Sequence, residues 1–303
     1  MTLFRLHIRP KGGLHNSKAS FDYCLKHSCL GLGWHVDVKN HRKLNWNNYL
    51  KLATKKYGKK RMRSAIVLKN NVKHNDLLWT RDENGTYYIA RVIRGWQYHN
   101  SKQALNADIV NTVRCELLKI NNVDDVPGKI VACFRPTRTI QRIKDETSIL
   151  YSQQLWNDLT KSLRYKISFD NVKLNLYSFL SAEDCEDLVF IYLQTLGWVV
   201  VPSSRQRDTM RYEFVLIHRK THQRAIVQVK TGNTPLNIDD WKNYKEAVFL
   251  FQSNNIYSGS SAKNVVCLSP KELKKFVSDN SSLIPANIYR KSKMYASLTR
   301  RSS

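Results

Sequence analysis

Residues 181 to 232 read SAEDCEDLVFIYLQTLGWVVVPSSRQRDTMRYEFVLIHRKTHQRAIVQVKTG. Leu188, Val189, Tyr192, Leu193 and Leu196 recur at helical spacing, and Gly197 stops the helix before the strand Trp198-Val199-Val200-Val201. After a polar loop, Glu213 opens the apolar strand Phe214-Val215-Leu216-Ile217. A turn over residues 218 to 224 then reverses the chain into Ala225-Ile226-Val227-Gln228-Val229-Lys230. Side chains two apart on a strand share a face, so Gln228 and Lys230 point the same way while Val229 packs beneath. A hard divalent cation such as Mg2+ or Mn2+ takes oxygen ligands. The hairpin offers a carboxylate from Glu213, an amide oxygen from Gln228 and the backbone carbonyl of Val229. Lys230 is then placed to orient a water and stabilise charge at a phosphate.

Glu183, Asp184, Glu186 and Asp187 crowd the first turns of the helix, where the helix dipole favours carboxylates whatever else they do. In its order of helix, strand, acid-led strand and Gln-Val-Lys, the stretch resembles the core of the PD-(D/E)xK nuclease superfamily, in particular its Mrr-like restriction branch. The resemblance implies a mixed α/β sheet flanked by helices, of restriction-endonuclease type, over residues 178 to 303. It also implies a supporting helix glutamate, best matched by Glu186 and next by Glu183. One departure stands out: the superfamily's usual first ligand is Asp, and here the position is Glu213, with Asp208 in the preceding loop able to replace or assist it. With Gln at 228 the set carries less negative charge, which weakens metal affinity until a phosphate joins it.

Downstream, residues 238 to 245 read as a helix, 247 to 251 and 264 to 268 as strands, and 270 to 278 as a helix with Pro just inside its start. The tail from Arg290, with Lys291, Lys293, Arg300 and Arg301, reads as a mobile basic end.

Upstream, residues 3 to 9 alternate like a strand and Trp46 to Tyr57 reads as a helix. Residues 76 to 81 and 86 to 92 flank an Asn-Gly turn as a hairpin, and residues 129 to 134 read as a further strand. A small, mostly β barrel over residues 1 to 150 fits these signals, with a linker at 151 to 177. The Gly-x-Gly-Trp at 31 to 34, the Leu-Trp-x-Arg at 78 to 81, the Gly-x-Tyr-Tyr strand and the Val-Pro-Gly-Lys at 126 to 129 resemble, more faintly, the PUA-like readers of the EVE, YTH and SRA families. That resemblance implies a pocket for a flipped or single-stranded base, walled by some of Trp34, Trp79, Tyr88, Trp96 and Tyr98. Large aromatics in a β domain are more often core than reader, so one or two of the five are expected to touch a base.

Charge points to the same class of partner. The chain carries 50 Lys and Arg against 24 Asp and Glu, a formal net charge of +26, and residues 1 to 150 hold 28 of those bases against 11 acids. A polyanion is the natural partner, and the interleaving of bases with strand-like segments favours nucleic acid over a membrane; the resemblance to Mrr-like nucleases implies double-stranded DNA, with or without modified bases. Lys59, Lys60, Arg61 and Arg63 form the densest run and are candidates for phosphate contact, or else a solvated face. The six cysteines follow no zinc-site spacing and read as buried free thiols. No apolar run reaches the length of a bilayer span and no signal-peptide core opens the sequence, so a cytoplasmic protein is expected.

The leading expectation is a metal-dependent, modification-dependent restriction endonuclease. Double-strand cutting takes two active sites, so a homodimer is expected on mechanism alone. The alternatives are a nuclease-fold module that binds DNA or RNA without catalysis, and a junction-resolving or transposition nuclease.

Overall fold

In the computed structural model the described residues are 1–13, 17–37, 44–135, 138–167, 175–204 and 211–300, with only the backbone described at 12, 13, 298 and 300. The chain divides into two compact units, one of residues 1–126 and 130–168, the other of 127–129 and 169–303.

The first unit is built on an open six-stranded sheet. In chain order its elements are β1 (Leu3–Leu6), α1 (Lys18–Lys26), β2 (Cys29–Leu32), α2 (Trp46–Tyr57), α3 (Arg63–Asn70), β3 (Leu77–Arg81), β4 (Tyr87–Tyr98), α4 (Lys102–Asn106), β5 (Asn111–Lys119), α5 (Gly128–Cys133), β6 (Ile140–Ile143) and α6 (Glu146–Thr160). The strand order is β2-β5-β4-β3-β1-β6, parallel only between β1 and β3. Among the described residues β2 and β6 are its two edges, so the expected closed barrel is not formed.

Helices line both faces. Phe4, Leu6, Leu78, Tyr88 and Val92 share one core with Phe21 and Cys24 of α1, Tyr49 and Ala53 of α2, and Ala65 and Leu68 of α3. On the other face the Trp79 indole donates to Ser152 Oγ of α6 at 2.9 Å, and the Arg91 guanidinium lies 5.9 Å from the Trp156 ring. Cover on both faces is why β1 is buried at all four positions, Arg5 included, although its alternation reads as half-exposed. It is also why residues 151 to 168 belong to this unit rather than to a linker.

Two local readings change. Residues 128 to 133 are helix α5, not strand; a four-residue apolar run does not by itself distinguish the two periods. The basic run at 59 to 63 is a turn that enters α3, a helix the sequence pattern did not announce.

The second unit contains α7 (Ala182–Thr195), β7 (Trp198–Val200), β8 (Phe214–His218), β9 (Arg224–Lys230), β10 (Leu236–Asn237), β11 (Ala247–Gln252), β12 (Tyr257–Ser258), β13 (Val265–Leu268), α8 (Pro270–Asp279) and α9 (Ala286–Arg300). Its main sheet runs β13-β11-β9-β8-β7, with β7, β8 and β9 antiparallel in turn and β9, β11 and β13 parallel. It is a mixed sheet flanked by helices. Leu188, Val189 and Leu193 of α7, Leu273 and Phe276 of α8 and Ile288 of α9 cover one face. The crossover from β9 to β11 is a short 3-10 turn at Ile238–Asp240, where a longer helix is expected. Three of the four residues at 237 to 240 are polar, Asn237, Asp239 and Asp240, which leaves too few apolar positions to seat a helix.

The tail is also different from its reading. Lys291 is buried in α9 and its ammonium lies 2.7 Å from Asp184 Oδ2, while Asn287 donates to the other oxygen of the same carboxylate. Asp184 in turn accepts the Ser181 N–H in a capping box at the start of α7.

Candidate functional site

The hairpin β8–β9 decides the geometry. Phe214, Leu216, Ala225, Val227 and Val229 point into the core beneath the helices, whereas Val215 and Ile226 belong to the apolar cluster on the opposite face. Alternation therefore places Glu213, Gln228 and Lys230 together on that opposite face. Glu213 lies one residue before β8 and already donates its backbone N–H to Val227 O at 2.8 Å, which fixes its side chain across from Gln228.

The side chains meet. Gln228 is almost wholly buried, and its amide nitrogen donates to Glu213 Oε1 at 2.5 Å and to the Val229 carbonyl at 3.1 Å. Lys230 Nζ stands 3.7 Å from the same Glu213 oxygen, with the lysine side chain 42% exposed and the glutamate 29%. An ion pair this open to solvent contributes little to stability, so its geometry matters more than its energy. Two oxygens of the expected ligand set thus lie within hydrogen-bond reach of one atom of the third residue. A turn of the Gln228 amide about its last torsion brings its own oxygen to the same point. The set has one carboxylate, one amide and one carbonyl, all hard oxygen donors, and it fits Mg2+ or Mn2+. Among the described residues no three His, Cys, Asp or Glu side chains gather as a metal group, at this hairpin or elsewhere.

Behind Lys230 lies a network that sequence reasoning missed. Gln252, fully buried at the end of β11, is the register partner of Lys230. Its amide nitrogen donates to Gly232 O and Thr234 O at 2.7 and 3.0 Å, and its oxygen accepts from the N–H groups of Asn254 and Ile256. Ser253 N–H donates to Lys230 O at 3.0 Å, and Gly232 N–H donates to Ser253 Oγ. Gly232 itself has φ +71°, a conformation that a side chain makes costly. Gln252, Ser253 and Asn254 thereby hold the backbone just past Lys230 in one conformation. Nothing in the run Gln-Ser-Asn-Asn marks this beforehand, because its polar groups are used on backbone rather than on ligand.

Glu186 stands half-buried on α7, and the hydrogen bonds joining Glu213, Gln228 and Lys230 do not include it. Asp208 lies outside the described residues. The buried carboxylate of α7 is Asp184, engaged in holding α9.

In the first unit the five aromatic candidates separate. Trp79 is fully buried with its N–H satisfied by Ser152 and offers no ring face to a base. Tyr88 is 9% exposed and packs on Phe21, ring centroids 4.9 Å apart. Trp34, Trp96 and Tyr98 are half-buried and gather with three aromatics not singled out from the sequence, Trp46, Tyr49 and Tyr57. Trp96 meets Trp46 edge-on at 4.9 Å, Tyr49 lies 4.9 Å from Tyr98, and Trp34 meets Tyr57 at 5.2 Å. Asn111 ties them: its Oδ1 accepts from the Trp96 indole and its Nδ2 donates to Tyr49 Oη and Gly33 O. Burial pushes the Tyr98 hydroxyl above its ordinary pKa, so it stays a protonated group against the Val36 backbone. Lys59, Lys60, Arg61 and Arg63 are exposed on and beside the turn between α2 and α3. None of the six cysteines forms a disulfide, and of the six only Cys267 is exposed.

Compared with protein-family models, with curated proteins and with solved structures, the chain matches none. Among the described residues no helix is long and apolar enough to cross a membrane.

Proposed function

We propose that the protein is a metal-dependent DNA endonuclease whose second unit hydrolyses phosphodiester bonds and whose first unit grips the nucleic acid. The observation that carries this reading is the convergence of Glu213, Gln228 and the Val229 carbonyl, with the Lys230 ammonium 3.7 Å from the shared carboxylate oxygen. Glu213, Gln228 and Val229 would hold the cation. A divalent ion bound there supplies a Lewis acid and lowers the pKa of its water toward neutrality. The chain's own contribution is positional. Lys230, half-exposed at the strand end, presents a point charge to a phosphate oxygen, and the Gln252 network keeps its backbone from drifting when it does so. Glu186 is kept as a supporting carboxylate on the strength of the resemblance to Mrr-like nucleases.

Within the same reading, the Trp34, Trp96 and Tyr98 cluster is the place for base contact and modification sensing, with restriction of foreign DNA as the biological role. Two copies acting together would cut both strands. The second reading, a nuclease-fold module that binds DNA or RNA without cutting, draws on one observation: the site's ligand set contains a single carboxylate, which leaves metal affinity low.

Incubating modified and unmodified plasmid with Mg2+ or Mn2+, beside a Lys230→Ala variant, tests the proposal. Metal-dependent cleavage by the parent, reduced about 100-fold or more in the variant, is expected. Binding without cleavage on every substrate and with either metal would sink the enzyme reading and leave the second.

A further inference from the structure

A second cationic centre lies in the first unit. Four side chains from three strands ring Phe134: Arg5 and His7 from β1 and its extension, Arg81 from the end of β3, and Tyr87 from the start of β4. The Arg5 and Arg81 guanidinium carbons are 5.5 and 5.2 Å from the Phe134 ring centre, and the His7 and Tyr87 rings are 5.6 and 5.5 Å from it.

Arg5 is fully buried. It donates to the Arg138 carbonyl and, at 3.3 Å, to Gln141 Oε1 of β6, but its Nε has no partner and neither has His7 Nδ1. No carboxylate bonds to or pairs with Arg5, His7 or Arg81 among the described residues. Burial, the largest influence, lowers the Arg5 pKa; among its neighbours Cys133 comes first and acts in the opposite sense, and the cations Arg138, Arg81 and Arg9 add to the lowering. Burial first, then Arg81, Arg5 and Arg9, hold His7 down to about 4, so the imidazole is neutral and brings no charge of its own.

Buried or half-buried cations are ordinarily paired within the fold, because leaving them uncompensated costs several kcal/mol each. Here, among the described residues, no carboxylate is hydrogen-bonded to or paired with Arg5, Arg81 or Arg138. An external anion removes that imbalance, and guanidinium forks match a phosphate group in shape as well as charge. Access is available: Arg138 is exposed and Arg81 half-buried, stacked on Phe134 with no acceptor engaged. Arg5 is the member that a merely structural cluster does not explain: it is fully buried, its Nε has no partner, and no carboxylate pairs with it among the described residues.

We infer that Arg81 and Arg138, with the buried Arg5 behind them, form an anion site that takes a phosphate of a nucleic-acid strand. The identity of the strand rests on the nucleic-acid reading above, and on the concentration of positive charge in residues 1 to 150. It does not rest on catalysis. The site shares no residue with the exposed run at 59 to 63.

The test is the salt dependence of duplex DNA binding by the full chain, measured by fluorescence anisotropy for the parent, Arg138→Gln alone and Arg81→Gln with Arg138→Gln. Each lost phosphate contact lowers the slope of log K against log salt by about 1, so the double variant should lose about 2 while melting at the parent temperature. Arg138→Gln changes an exposed residue and keeps the test valid should the double variant fold poorly. An unchanged slope in both variants overturns the site. Inorganic phosphate provides the second arm: if it raises the parent's melting temperature while the DNA slope is unchanged in the variants, the centre takes free phosphate and the assignment to a strand is overturned. A parent that cleaves DNA with variants of unchanged slope removes this site and leaves the nuclease proposal intact; a lowered slope without any cleavage does the reverse.

Discussion

Gln228 donates its amide N–H to Glu213 across the β8–β9 ladder at 2.5 Å, from a position that is almost entirely buried. The amide therefore does in this chain what a second carboxylate could not do without a cation between the two. Gln228→Glu sets two carboxylates against each other in a poorly hydrated place. We expect the variant to lose about 1–3 kcal/mol of stability in chelator at neutral pH and to regain it as Mg2+ is added, since the ion binds only the folded site. Thermal melting across a Mg2+ titration reads this directly. A variant as stable as the parent in chelator, and indifferent to Mg2+, would contradict the convergence of oxygens at this point.

Gln252 satisfies two carbonyls and two N–H groups at once. Gln252→Ala takes this partner from Thr234 O and from the N–H groups of Asn254 and Ile256, whereas Gly232 O keeps the Asn254 amide at 2.9 Å, at a cost of about 1–3 kcal/mol for each group left unpaired and buried. Beyond the fall in melting temperature, the proposed cleavage should suffer in kcat more than in KM, because the loosened backbone is the one that carries Lys230. A variant destabilised with kcat untouched would confine Gln252 to a structural role.

Trp79 and Trp96 should part company under mutation. Trp79→Ala opens a cavity in a fully buried site and should cost about 3–5 kcal/mol. Trp96→Ala, at a half-buried residue of the aromatic cluster, should cost less. It should also reduce discrimination between modified and plain DNA more than it reduces overall affinity. Equal loss on both substrates speaks against base contact at Trp96.

His7 gives a pH signature. Its folded-state pKa is held at about 4, below the ordinary histidine value of 6.5, by burial and then by Arg81, Arg5 and Arg9. The unfolded chain therefore takes up the proton first as pH falls, and stability declines between about 6.5 and about 4. Denaturant midpoints measured over that window should fall with pH, and His7→Gln should flatten the fall. An identical pH profile in the variant would remove His7 as its source.

How much of this was legible in the sequence differs by residue. Gln228 and Lys230 were, because a period of two assigns a face without any knowledge of what lies over it, and Glu213 followed from the hairpin that reverses between them. Trp79 was not: a tryptophan in an alternating strand looks the same whether α6 covers it or solvent does. Arg5 escaped for the same reason, since a guanidinium with a helix packed over its sheet face breaks the rule that charge in a strand faces water. Residues 129 to 134 went astray as strand because their apolar run is too short to carry a period. Lys291 was read as part of a basic tail, and only the position of Asp184, more than a hundred residues earlier, gives it a reason to be buried. Long-range pairing of this kind leaves no local pattern.

That pair has a consequence in time. Asp184 sits in the first turn of α7, and its cation follows 107 residues later. At a synthesis rate of about 5–20 residues per second, the carboxylate waits about 5–20 s for Lys291 to be made. Until then the carboxylate has the Ser181 N–H of its own capping box but not the cation that offsets its charge. The contact that ties α9 to the start of α7 therefore forms only after residue 291 has been made.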